Sequence, residues 1–207
     1  MIVLEGQDPD LYDRVQEKNL VRQYDLLTNY IEIGLKQGPT AFDKYMLWAL
    51  NHVAVTGISQ FGGRFREEPI YVSTHVPPHF DRVPELMDRF VSFIHENWFI
   101  LNETELAAYT LWRLNWIHPF IEGNGRTARA ACYYVLCLRH EKLLGGNKIL
   151  PERIRENRDS YEQGLQAADR EWENGQLDFS VMEEYIAALV EAQLSEDGAN
   201  PNPHAAA

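Results

Sequence analysis

The chain has 207 residues, a formal net charge of −12, and 45% hydrophobic against 24% charged residues. That length suits one domain with a sizeable core, and the composition is ordinary for a globular protein. The acidic balance excludes surfaces built on clustered lysine and arginine, so neither nucleic acid nor an anionic membrane is an expected partner.

The start, Met1-Ile2-Val3-Leu4-Glu5, lacks the basic and long apolar regions of a leader peptide, and no run approaches a membrane span. Cytoplasmic residence is the expectation, with export by a route that reads no such signal left open. Leu11 to about Ile33 carries apolar residues at helical spacing (Leu11, Val15, Leu26, Leu27, Tyr30). Gly34 and then Gly38-Pro39 are expected to end that helix. Thr40 with Asp43 resembles a capping box, and Met46, Leu47, Leu50 and Val53 continue as a second amphipathic helix. Pro69 to Thr74 is rich in β-formers and is followed by a Pro-Pro turn, which predicts one small β-hairpin. Those prolines exclude the helix that would pair His75 with His79 as metal ligands.

From Val83 the apolar stripe Leu86, Met87, Phe90, Val91, Ile94 predicts a helix with Pro84 in its first turn. Asn102 and Glu105 mark the start of the next one. From Ala107 to Trp116 it is apolar nearly all round, so it should be a central buried helix. Trp112 and Trp116 then read as core rather than as a stacking platform for a base. Thr127 to about Leu138 is again apolar on most sides; Cys132 and Cys137 within it fall on different faces, which suggests neither a disulfide nor a metal site. Pro151 opens a short helical piece, and Arg158–Trp172 and Ser180–Leu194 read as two more amphipathic helices. The pattern predicts one all-α domain over residues 1–195 and a disordered tail over 196–207.

Between the two buried helices lies His118-Pro119-Phe120-Ile121-Glu122-Gly123-Asn124-Gly125-Arg126-Thr127-Ala128-Arg129. A neutral histidine can take a proton from a hydroxyl, and Pro119 keeps His118 out of helical geometry, on an extended segment or turn. Gly123-Asn124-Gly125 is turn chemistry that lets backbone approach a ligand closely. A helix opening just after it points free N–H groups forward, which makes an anion site. Arg126 and Arg129 share one helical face, and Glu122 offers a hard oxygen for Mg²⁺. Together these groups describe nucleotide phosphate chemistry; a purely structural glycine turn has no need of them all.

His-Pro-Phe-x-Glu-Gly-Asn-Gly-Arg-x-x-Arg resembles the active-site motif of the Fic family, with all nine fixed positions matched and Glu122 standing where aspartate is commoner. The resemblance implies a Fic-type helical bundle with a β-hairpin flap over the active site. It also implies transfer of AMP from ATP to a Ser, Thr or Tyr hydroxyl of a target protein. His118 would then be the general base, and Glu122 would hold Mg²⁺. Gly123, Asn124 (with its side chain) and Gly125 would cradle phosphate oxygens, and Arg126 and Arg129 would pair with the outer phosphates. Phe120 would anchor the loop in the core. Tyr161 and Asp169 fall where adenine-pocket residues are expected, although asparagine is usual at the second. Ile70, Tyr71, Val72, Ser73 and Thr74 would form the flap that docks the target.

Relatives often carry an inhibitory Ser/Thr-x-x-x-Glu-Gly/Asn segment whose glutamate pairs with the second motif arginine. Leu4-Glu5-Gly6 resembles the end of one, with Met1 at the Ser/Thr position; Ser180-x-x-x-Glu184 is a second candidate, and a separate antitoxin-like inhibitor protein is a third. Transfer of another nucleotide, removal of AMP, and a non-catalytic nucleotide-binding module are the alternatives to AMP transfer.

Overall fold

A computed structural model describes residues 8–72 and 75–199. Among these residues the chain forms eight α-helices: α1 Pro9–Gln37, α2 Lys44–Ala54, α3 Val83–Asn97, α4 Glu103–Ile117, α5 Asn124–Arg139, α6 Leu150–Glu156, α7 Arg158–Glu173 and α8 Ser180–Ala199. The architecture is all-α. The expected hairpin is not shown: among the described residues the 69–79 stretch has an isolated antiparallel bridge between Val72 and His75 and no strand. Pro69, Pro77 and Pro78 withhold N–H donors there, and no neighbouring strand lies beside it among the described residues. Ser73 and Thr74 lie outside the described residues.

Helices α4 and α5 form the most extensive pairing and occupy the centre, with α3, α7 and α8 against α4 and with α1, α2 and α6 against α5. Their sequences explain the position. Leu106, Ala107, Leu111, Trp112, Leu114 and Ile117 on α4, and Ala128, Ala131, Cys132, Tyr133, Tyr134 and Val135 on α5, have no exposed surface. Each fully buried large aliphatic contributes roughly 1.5–3 kcal/mol, so the two helices flanking the motif are the most firmly held. Asn102 starts α4 as expected: its side chain accepts from Glu105 N, and Glu105 returns a bond to Asn102 N at 2.7 Å. Trp112 is wholly buried and Trp116 partly so.

Several boundaries differ from expectation. Gly34 does not stop α1 but lies inside it, because the Tyr134 ring of α5 occupies the space a Cβ would need. Gly38, at φ 79°, ends the helix instead. Asp43, not Thr40, caps α2, accepting from Met46 N at 2.7 Å while Thr40 sits in a 3-10 turn. Helix α8 runs on to Ala199, past the expected start of the tail, and Arg153 pairs with Glu196.

Candidate active site

Helix α4 delivers the chain to His118 and stops there. His118 adopts the left-handed conformation, φ 50° and ψ 61°, in which helices commonly close, and the following proline bars a return to the right-handed helical well. Its N–H bonds Leu114 O at 3.0 Å, and its Nδ1 lies 3.0 Å from Asn115 O. A carbonyl can only accept, so Nδ1 carries the proton and the neutral ring presents the Nε2 lone pair. Burial pushes the His118 pKa from 6.5 down to about 4; the Asn115 carbonyl opposes that, and the nearby His75 and Arg66 reinforce it. The ring is therefore neutral at physiological pH, more completely than an ordinary histidine.

The turn that follows is pinned from three sides. Phe120 is wholly buried, its ring 6.0 Å from that of Phe65. The Asn124 side chain closes on Phe120, accepting from its N–H at 2.9 Å and donating to its carbonyl at 2.8 Å. Both polar atoms of that side chain are thus engaged by the loop itself. Asn51 of α2, fully buried, donates to Glu122 O at 2.8 Å and accepts from Gly63 N at 3.0 Å. Gly123 caps α5 at φ 81°, and a Cβ there would meet Val55 Cγ1 at 2.6 Å and Asn51 Nδ2 at 3.0 Å, so only glycine fits. No side chain caps α5. The backbone N–H groups of Asn124, Gly125 and Arg126 consequently have no helical partner, which is the anion-binding arrangement of a helix N-terminus.

These groups open on a cleft of about 470 Å³ lined by His118, Glu122, Gly123, Asn124, Gly125, Arg126, Arg129 and Tyr161. Arg126 spans the floor, donating to Ala54 O at 2.8 Å and to Glu122 Oε1 at 2.9 Å. Burial and the neighbouring charges of Arg126 and Arg155 pull the Arg129 pKa down, while Tyr161 beside it pulls the other way. Arg155 and Arg158, from α6 and α7, complete the wall. Arg158 pairs with Glu162 at 2.6 Å; neither Arg129 nor Arg155 forms an ion pair among the described residues. Among the described residues, positive charge without a carboxylate partner is thus gathered at one helix N-terminus, a field that draws in a polyanion.

Glu122 is 43% exposed, and both hydrogen bonds to its carboxylate fall on Oε1, from Arg126 and from Gly123 N. Among the described residues no three His, Cys, Asp or Glu side chains group as a metal cage. A divalent ion here would rest on this one carboxylate and the oxygens of a bound polyphosphate, which is how Mg²⁺ is usually held. The residues present fit that ion.

Asp169 does not join Tyr161 in the cleft. Its Oδ1 accepts from Trp112 Nε1 at 2.8 Å, and Oδ2 lies 3.5 Å from His75 Nδ1. Tyr161 lines the cleft with a buried hydroxyl, near Arg129 and Asn115, that makes no well-formed hydrogen bond. Tyr71 is 87% exposed on the stretch expected to dock a target, and Ile70 and Val72 are half-buried. Glu5 lies outside the described residues, and Glu184 is exposed on α8. Sequence reading missed Asn51 as a pin of the turn, and Arg155 and Arg158 as part of the cleft. The arginines sit in polar helical pieces with no local mark, and only the packing of α6 and α7 brings them to the motif.

Residues 41–136 match the family model described as Fic/DOC family. They belong to that family. The Fic domain so defined holds α2 to α5 and the whole motif, whereas Arg155, Arg158, Tyr161 and Asp169 lie beyond the matched span. Over 116 residues, 56% of this chain, it is 36% identical to the protein adenylyltransferase Fic of Drosophila persimilis and 35% identical to that of Drosophila yakuba. The matched segment spans 23% of the length of those relatives. Fic-1 from C. elegans superposes with a TM-score of 0.67 at 22% identity, covering 89% of this chain and 52% of that one. A Fic-domain signalling protein from Bacteroides thetaiotaomicron gives 0.62 at 21%, covering 84% and 69%. At those identities the two structures speak for the fold alone.

Proposed function

We propose that this Fic domain transfers AMP from ATP to a hydroxyl side chain of a target protein. The observation that carries the reading is the meeting, in one cleft, of a neutral histidine presenting its Nε2 and a helix N-terminus flanked by Arg129 and Arg155, which have no ion-pair partner among the described residues. In the reaction the hydroxyl oxygen attacks the α-phosphorus, and its proton passes to His118 Nε2. The bond from that phosphorus to the β-bridging oxygen breaks, and pyrophosphate leaves. The first-turn N–H groups of Asn124, Gly125 and Arg126 bind phosphate oxygens, while Arg129, with Arg155 on the rim, takes the outer phosphates. Arg126 acts mainly by holding Glu122 in place. Mg²⁺ on Glu122 would neutralise charge growing on the leaving pyrophosphate. Tyr161 is proposed beside the base or ribose, and Asp169 is not.

The target would lie along residues 70–74 as an added strand, so that backbone pairing aligns its hydroxyl with His118. The share of relatives named adenylyltransferase supports AMP as the transferred group. Incubation with labelled ATP, Mg²⁺ and a cell lysate tests the reading. Label should appear on a polypeptide and vanish with His118→Ala; ATP binding with no transfer to any polypeptide would instead indicate a nucleotide-binding module.

A further inference from the structure

A helix leaves its last carbonyls without helical partners, and at the end of α4 each of them from Leu114 to His118 is nevertheless satisfied. His118 covers two itself, through its N–H to Leu114 O and its Nδ1 to Asn115 O. The other three are covered from the segment that precedes α3. His75 Nε2 lies 2.9 Å from Trp116 O, Arg66 Nε bonds His118 O at 2.8 Å, and Arg66 Nη2 reaches Ile117 O at 3.5 Å. Arg66 N also donates to Pro119 O at 2.8 Å. The same guanidinium donates to Glu68 O at 3.3 Å and to Pro78 O. One side chain, only 3% exposed, thereby joins both ends of the 67–78 segment to the turn that carries the histidine.

No carboxylate pairs with Arg66 among the described residues. Its charge is balanced by carbonyl dipoles at the negative end of α4. Only a planar fork with five N–H donors can serve that many acceptors in different directions; an ammonium on a flexible stem cannot.

We infer that Arg66 is a positioning residue for His118, holding the imidazole in register with the cleft by capping α4 and locking the target-docking segment onto that cap. The inference rests on the proposed role of His118 as base. Arg66 touches neither nucleotide nor hydroxyl, so its loss should spare nucleotide binding and slow transfer. A displacement of about 1 Å is enough for a loss of roughly a hundredfold.

The test uses the full chain with Arg66→Lys and Arg66→Gln. Three quantities are measured: the Kd for a non-hydrolysable ATP analogue with Mg²⁺, the maximal rate of AMP transfer, and the imidazole tautomer of His118 by ring-nitrogen NMR. The expected result for Arg66→Lys is a folded protein with Kd within about twofold of wild type, transfer slowed roughly 10- to 100-fold, and loss of the single Nδ1–H tautomer. Arg66→Gln should do the same or worse. Wild-type transfer by Arg66→Lys overturns the inference, as does a weaker Kd that accounts for the whole loss of rate. If neither variant folds, Arg66 is a structural residue and the positioning role is refuted. If the wild type itself transfers nothing, the functional reading fails, and the tautomer measurement decides the positioning role by itself.

Discussion

The depressed pKa of His118 makes a claim about folding as well as catalysis. The unfolded histidine takes up a proton near pH 6.5, whereas the folded one stays neutral until about pH 4. Between those values the unfolded state binds more protons, so stability falls as the solution is acidified through that window and is fully present above it. The drop from 6.5 to about 4 corresponds to roughly 3 kcal/mol, an upper figure because one side of the ring opens on the cleft. Replacing His118 by Asn removes this titration, and acid effects common to both proteins cancel in the difference. Urea unfolding midpoints for wild type and His118→Asn should therefore stay apart from pH 7.5 to about 6.5 and converge or cross from there down to 4.5, the wild type losing ground. Catalysis should follow the same group: kcat/KM for the protein target, which reports the free enzyme, should hold its plateau well below pH 6. Parallel urea curves, or an acid limb centred on pH 6.5, would refute the burial argument.

Three further perturbations test the rest of the site. Gly123→Ala meets both a positive φ and the Val55 and Asn51 side chains; it should cost about 2–4 kcal/mol, read as a fall in Tm. Asn124→Asp keeps the acceptor for Phe120 N but turns a second oxygen against Phe120 O. It should cost about 1–3 kcal/mol and, by loosening the loop, weaken ATP binding, measured by calorimetry. Glu122→Gln removes the carboxylate but keeps a partner for Gly123 N; transfer should need much more Mg²⁺ for half-maximal rate, in a titration of rate against metal, with Tm changed little.

The helices were legible because their apolar spacing is regular and their caps are local. Asn102 and Glu105 announce the start of α4, and both bonds of that capping box are made. The motif was legible because its residues are contiguous. What depended on distant partners was not. Gly34 looks like a helix stop until Tyr134 arrives from another helix to fill the space beside it. Asn124 reads as a turn former with a side chain free for phosphate; its closure on Phe120 requires the loop already folded. Asp169 sits at a plausible spacing from Tyr161, yet the Trp112 indole takes it. Arg155 and Arg158 reach the cleft through the packing of α6 and α7, which no short-range pattern encodes. The β-forming residues from Pro69 on are matched, among the described residues, only by an isolated Val72–His75 bridge, because pairing depends on a partner strand that composition does not specify.

The proposed reaction takes place at the α-phosphorus, held against the N-terminus of α5 and attacked by a hydroxyl whose proton goes to His118. Parallel reactions with ATP labelled at the α- or the γ-phosphate measure this directly. The account predicts that α-label stays on the modified polypeptide, that γ-label leaves with pyrophosphate, and that His118→Ala abolishes the first. Retention of γ-label on the polypeptide, or α-label transfer undiminished in His118→Ala, would contradict it.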